Sequence, residues 1–465
     1  MKKKENGKLL ACQPSFEARF STRVRLAFFA LIILAFWIST EPCLAQDWFK
    51  TGTGLGVEKA RLAVPEFVAR SADAQPLEKV FHSVLWADLD YSGIIDLVSP
   101  SFYPLQTPSQ PSELKVTDWA QPPANSYMVA LGNLSVQGTS LAVAGYLIDV
   151  HNPAAPPVIQ KIYHGAATEE DARRLAHQFA DDIIAALSAG QPGIASTRIA
   201  FVRAGGGNKE IWVMDYDGAD QHQVTHLRTI SLTPRWSPDS SRIAFTCYEP
   251  FRGVVSAQIC LYSMDLNRLI AFPRLRGTNS SPAWSPDGAH LAFMSSSQGF
   301  PEIFVADPNG YHAHAITTSR AVDTSPVWNP KTGQQIVFVS DRAGDPVLYT
   351  MNADGSNVQR IQLPDMGYVV DPAWSPNGQL LAFAWRRPTG NFDIYIMDIA
   401  SDQLVELTRD QARNERPSWA PDGRHLVFES TRTGSRQIWT ILADGSQPRQ
   451  LTFQGENESP NWSPR

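Results

Sequence analysis

The final seven residues, "SPNWSPR" (459–465), open a phrase that appears in longer form as "SPAWSPDG" (281–288), where a long continuation follows it. The missing half stands alone elsewhere. "RIAF" (198–201) is the kind of stretch that follows such a phrase, yet no Trp-containing phrase precedes it. Between these two fragments a short apolar run recurs as "IAF" 199–201, "IAF" 243–245, "LAF" 291–293, "IVF" 336–338, "LAF" 381–383 and "LVF" 426–428, at spacings of 44, 48, 45, 45 and 45. Trp236, Trp284, Trp328, Trp374, Trp419 and Trp462 keep nearly the same step. Short strands at a period near 45 predict a β-propeller with one four-stranded sheet per repeat.

One repeat can be read physically. "SPAW" is a strand and "SPDG" a turn, with Pro presetting φ at the second position and Gly closing it. "HLAFMSS" (290–296) and "EIFVADPNG" (302–310) are the next two strands. The second of these ends in a Gly turn that returns as "DYDG" (215–218), "NADG" (352–355) and "ADG" (443–445). "AITT" (315–318), "ELT" (406–408) and "QLT" (450–452) mark a fourth strand. The two fragments then complete each other. A C-terminal strand lying innermost in the sheet begun at Arg198 gives six whole blades and leaves no unpaired edge.

Upstream, residues 61–190 read as an α/β domain. Strands are predicted at "RLAVPEFVA" (61–69) and "IIDLV" (94–98), and a helix at 76–89. "SYMVALGNLSV", "LAVAGYLIDV" and "VIQKIYH" suggest a meander. A second helix starts at Thr168, with Asp171 three residues on, and stops at Gly190 and Pro192. Residues 191–197 are the linker and 198–465 the propeller. The first 45 residues carry seven Lys/Arg and three acids, then "LAFFALIILAFWI" (26–38) and "STEPCLAQ", a pattern expected of a signal peptide cut after Ala45. An uncleaved anchor is the rival reading. Residues 46–60 form a glycine-rich flexible segment. The formal charge is −6 overall, so the remainder after residue 45 stands near −10, which argues against a phosphate-reading surface as the main business and makes nucleic acid an unexpected partner.

The repeat "P-x-W-S-P-D-G…LAF…DG…LT", the ending at "WSP" plus a residue, and the signal peptide followed by a smaller α/β domain together resemble the TolB family, periplasmic propeller proteins of the Tol–Pal envelope system. The resemblance spans 46–465. The turn departs from the repeat at Ser240, Asn329 with an inserted residue, Asn377 and Ala420. It implies a monomeric, periplasmic, non-catalytic scaffold without cofactor, supporting outer-membrane integrity and cell division and associating indirectly with outer membrane and peptidoglycan. Pal would dock on the rim of the channel, onto which Thr278, Asn279, Asp323, Thr324, Asn414, Glu415, Asn457 and Glu458 map. TolA would take the mature N-terminus, with Trp48 and Phe49 as apolar anchors.

Other chemistry is weaker. "DLDYSGIID" (88–96) fills several positions of a calcium loop, but Ser99 stands where the bidentate Glu belongs. His222 with His226, and His312 with His314, lack a third ligand for zinc, so no metal is expected. Cys12 and Cys43 leave with the signal. Aligned on Asp265 and Asp307, Cys247 and Cys260 fall at the places of Ser295 and Glu302, on the two sides of a hairpin mouth. A disulfide and two reduced strand cysteines both fit there. The alternative function is a propeller hydrolase or lectin acting on periplasmic peptides or glycans. Against it, the sequence has no G-x-S-x-G elbow, and Asp323, Asp371, Glu415 and Glu458 come without the Tyr or Arg set of a glycosidase.

Overall fold

The computed structural model describes residues 59–465 apart from 252, 366, 388, 389 and 411. The expected signal peptide, and the segment through residue 58 with Trp48 and Phe49, lie outside the described residues. Among the described residues, no helix is long and apolar enough to cross a membrane.

The first 130 described residues build a mixed sheet covered by two helices. Pro65 breaks the first predicted strand in two, β1 (Ala60–Ala63) and β2 (Val68–Ala69). Helix α1 (Gln75–Tyr91) follows, then β3 (Ile95–Leu97), β4 (Met128–Gln137), β5 (Ser140–Asp149) and β6 (Ile159–Ala166). Strand order is β3-β1-β4-β5-β6, with the last three antiparallel as the meander predicts. Helix α2 (Glu169–Leu187) is capped by Thr168, whose hydroxyl accepts from the Asp171 N–H at 3.2 Å. Its Leu175, Phe179 and Ile183 are wholly buried against the sheet and α1. The following linker is pinned: Ala195 and Ser196 N–H groups donate to Asp181 at 2.8 and 2.9 Å.

Six four-stranded sheets follow among the described residues. The final strand, Glu456–Trp462, pairs antiparallel with β7 (Arg198–Gly205), setting Trp462 opposite Ile199. With β8 (Asn208–Asp215) and β9 (His222–Gln223) it completes blade 1. Beyond the ladder, Ser463 N–H donates to Arg198 O at 2.8 Å, and the Trp462 indole donates to Thr197 at 2.7 Å. Blades 2 to 6 begin with innermost strands Ser231–Trp236, Asn279–Trp284, Asp323–Trp328, Tyr368–Trp374 and Asn414–Trp419.

The repeated motifs have separate duties. The indoles of Trp284, Trp328 and Trp419 donate to main-chain oxygens of Arg235, Ala283 and Ala373 in the preceding blade, stitching inner strands together. The "DG" turns at Gly218 and Gly355 need glycine twice over. Gly355 has φ +86°, and a Cβ on it would sit 2.1 Å from Ile316 O of the neighbouring blade. The fourth strands are shorter and earlier than predicted, as at His314–Ala315 and Arg449–Gln450. In four of the six blades a Thr closes the strand. Thr317 accepts from Ile303 N–H and donates to Glu302, and Thr225, Thr408 and Thr452 repeat this on Glu210, Asp393 and Gln437.

One alignment is corrected. Cys247 does occupy the Ser295 position, but Gln258, not Cys260, stands where Glu302 does. The third strand of blade 2 pairs Arg242 with Ser263, which makes Ser263 the counterpart of Asp307 and moves the expected register by two residues. Cys260 therefore faces Phe245 and lies diagonal to Cys247; the two form a disulfide with Cα atoms 5.9 Å apart.

Candidate docking face and channel

Because strands alternate in direction, each blade has two kinds of end. The turns after Trp and the "DG" turns share one face; the loops leading into the innermost strands and the hairpins between second and third strands share the other. The α/β domain packs on the first. Its α1 ends at Tyr91, whose hydroxyl donates to Thr440 at 2.6 Å and whose ring carries the Arg449 guanidinium 3.7 Å from its centre. Asp88, one residue of the calcium-like stretch, instead accepts from Tyr216 of blade 1 at 2.5 Å and pairs with His177 of α2 at 2.8 Å. One apolar core runs through both domains, holding Phe81, Phe179, Tyr216, Ala420 and Trp462.

The second face holds the predicted rim, and the structure divides it. Thr278 is exposed, and Thr324 and Glu415 are half-buried, with Glu415 paired to Arg413 at 2.9 Å. Asn279, Asp323, Asn414 and Asn457 are corrected: each is at most 2 % exposed and turned inward. The amide of Asn457 donates to Gln437 at 2.9 Å and its oxygen accepts from Arg203 at 2.8 Å, tying blade 6 to blade 1. Asn414 donates to Asp393 at 3.0 Å and accepts from Arg432; Asn279 reaches Gln258 at 3.3 Å. Asp323 pairs with Arg342 at 2.7 Å and accepts from Ser319. A polar group buried at a strand start needs partners; Asn279, Asn414 and Asn457 find them across the blade boundary and Asp323 within its own blade and lead-in loop, while Oδ1 of Asn279 and of Asp323 meets none among the described residues. Glu458 is likewise corrected. It is 5 % exposed in the closing strand and held by Lys209, Arg436 at 2.9 Å and Arg416 at 3.6 Å. Burial alone would raise its pKa, but these cations outweigh burial and lower it.

What does reach solvent here is arginine. Arg228, Arg276, Arg320, Arg386 and Arg387 are exposed and form no ion pair among the described residues. Arg386 and Arg387 are steadied instead on the faces of Tyr368 and Trp385. Exposed Asp345, Asp365 and Glu456 offset them only in part. The sequence carried a signal that a search for acids overlooks: an Arg stands one to six residues ahead of most innermost strands.

The channel is narrowed by a feature that the repeat motifs do not announce. In every innermost strand the residue before the proline has positive φ, between +50° and +56°, and the ladder shifts there. These six, Thr233, Ser281, Ser325, Asp371, Arg416 and Ser459, close on a void of about 30 Å³. Burial raises the Asp371 pKa against the pull of Arg416. Arg416 itself is half-buried, yet Glu429, Asp371 and Glu458 outweigh the cost of its desolvation and hold it charged. Towards the α/β face the channel widens to about 360 Å³, walled by the six Trp of the repeats and by prolines.

A ring sealed by its own C-terminal strand, with an α/β domain sharing its core on one face, defines a two-domain six-bladed propeller protein. Residues 187–370 and 364–465 match the TolB beta propeller domain, and residues 53–155 match the TolB amino-terminal domain. The chain is 30 % identical over 439 residues to the Tol-Pal system protein TolB of Bordetella pertussis, covering 93 % of this chain and 94 % of that one. It is 33 % identical over 311 residues to the Protein TolB homolog of Chlorobium luteolum, covering 66 % and 69 %. In fold it is similar to the crystal structure of TolB from Acinetobacter baumannii, with TM-score 0.73, 23 % identity, and coverage of 88 % and 97 %. The chain belongs to the TolB family.

Proposed function

We propose that this protein is a periplasmic, non-catalytic scaffold of a Tol–Pal envelope system, docking Pal on the lead-in face and TolA through residues 46–59, and so supporting outer-membrane integrity and cell division. Membership of a family whose Bordetella relative carries the Tol-Pal name supports the system. The observation that carries the docking reading is the build of that face. Exposed arginines and Thr278 stand on strand starts fixed by buried Asn279, Asp323, Asn414 and Asn457. A partner meeting so rigid a floor loses little freedom on the scaffold's side. The reading requires Trp48 and Phe49, outside the described residues, to anchor TolA.

The test is recovery of bound partners from solubilised envelope with the exported protein as bait. Pal and TolA together support the scaffold. Deletion of 46–57 removes TolA and leaves Pal; undiminished TolA recovery refutes the N-terminal assignment. Recovery of glycan or peptide fragments alone favours a lectin or hydrolase.

A further inference from the structure

The first turns of α2, the pinned linker and the turn after β8 enclose a cleft of about 710 Å³ between the α/β domain and blade 1. His177 is part of its wall although only 5 % exposed. Its Nδ1 is held by Asp88, which Tyr216 holds in turn from the propeller side. Its Nε2 is buried and has no hydrogen-bond partner. An imidazole so oriented by a carboxylate, with its second nitrogen unused, is poised to meet a ligand. Burial works against charge on the ring, but the Asp88 carboxylate outweighs it and moves the pKa up, which favours the form with a proton on both nitrogens.

The surrounding charges are of both signs and partly unspent. Arg198 and Asp215 stand opposite each other on β7 and β8, yet neither forms an ion pair among the described residues. Glu170, on the first turn of α2, is also unpaired. Arg173, by contrast, is engaged by Asp217 at 2.6 Å. A metal ion is a poor match: among the described residues, the one set of three ligand-type side chains within reach of a common ion is Cys247, Glu249 and Cys260 in blade 2. A simple anion would face Asp215 and Glu170, and a simple cation would face Arg198. A ligand carrying both charges satisfies both sides.

We propose that this cleft binds the zwitterionic end of an α-amino acid or short peptide, its carboxylate on Arg198 and His177 Nε2 and its ammonium on Asp215 and Glu170. The site is independent of the docking face and of the partners assigned to it.

Titration calorimetry of the exported protein with alanine, with dialanine, and with dialanine acetylated and amidated at its ends tests the proposal. Saturable binding of a free-ended compound, with at least about tenfold loss on blocking the ends, is expected. Binding of alanine but not dialanine identifies a free amino acid as the source; binding of dialanine identifies a peptide end. Arg198→Ala and Asp215→Asn each weaken binding about tenfold with unchanged melting temperature, and the His177 Nε2 nitrogen resonance shifts on saturation. The proposal is overturned by no saturable binding of either free-ended compound below about 10 mM, by equal affinity for the blocked dipeptide, or by equal affinity in both variants.

Discussion

The main-chain oxygen of Tyr91 lies 2.8 Å from Nε2 of His425, joining the end of α1 to the second strand of blade 6. The other ring nitrogen of His425 lies 2.7 Å from Asp422. Both neighbours are hydrogen-bond acceptors. His425→Ala removes the bond to Tyr91 and leaves Asp422 buried beside Arg424 alone. A loss of about 3 kcal/mol is expected in urea unfolding. A loss within the scatter of surface substitutions would mean that this contact is not what joins the domains.

Asp422 also sets an acid limit. Although burial raises its pKa, the pull of His425 and Arg424 is greater and lowers it to about 2. A carboxyl depressed by folding stabilises the native state fully above its unfolded pKa and progressively less as pH falls towards the folded value. The stability curve should thus drop by about 2 kcal/mol between roughly pH 5 and pH 2 through this group. Asp422→Asn flattens that part of the curve.

Ring closure rests on the final strand. Removing the last eight residues takes Glu458 and Trp462 away and exposes β7 along its inner edge. Loss of the buried Trp462 side chain alone costs about 3–5 kcal/mol, so the shortened protein should melt far below the intact one or aggregate. Coincident melting curves would show that the ring does not depend on its clasp.

Neighbouring rim residues should separate into two kinds. Asn414→Ala leaves Asp393 and Arg432 short of a partner and lowers stability by about 1–3 kcal/mol. Its affinity for Pal should not change once the protein is folded. Arg276→Glu and Arg320→Glu should do the reverse, leaving melting unchanged and weakening Pal capture, the more so at low salt. Pal binding indifferent to both arginines would remove the docking face.

Reduction should be felt in blade 2. The Cys247–Cys260 bridge spans a separation of 13 residues, for which chain entropy gives about 3 kcal/mol at most. Cys247→Ser with Cys260→Ser, or excess thiol, should lower the unfolding midpoint without disturbing the other blades. An unchanged midpoint would mean that the cross-link confers no net stability.

Period and closure were legible in the sequence because they depend on local chemistry repeated around the ring: a turn proline and an apolar triplet in all six repeats, a positive-φ glycine in most. The rim was legible only as location. Asn279, Asn414 and Asn457 occupy the right loops, but whether an amide looks outward or into a neighbouring blade depends on residues such as Gln437 and Arg203, remote in the chain. The Ala420 departure shows the same limit. A serine there would hold the turn's own aspartate, as Ser285 holds Asp287 at 2.5 Å. With alanine in its place, Asp422 is released to His425, and the apparent defect in the repeat becomes the seat of the α/β domain.

That seat has a consequence for biogenesis. Helices α1 and α2 are synthesised early, yet beyond blade 1, which offers Tyr216 and Asp217, the propeller groups they meet include His425, Thr440, Arg449 and Trp462, near the end of translation. Until those last segments emerge, the first-made domain displays an oily flank with nothing to shield it. Maturation should therefore pass through a late, chaperone-sensitive stage ended by arrival of the carboxyl terminus.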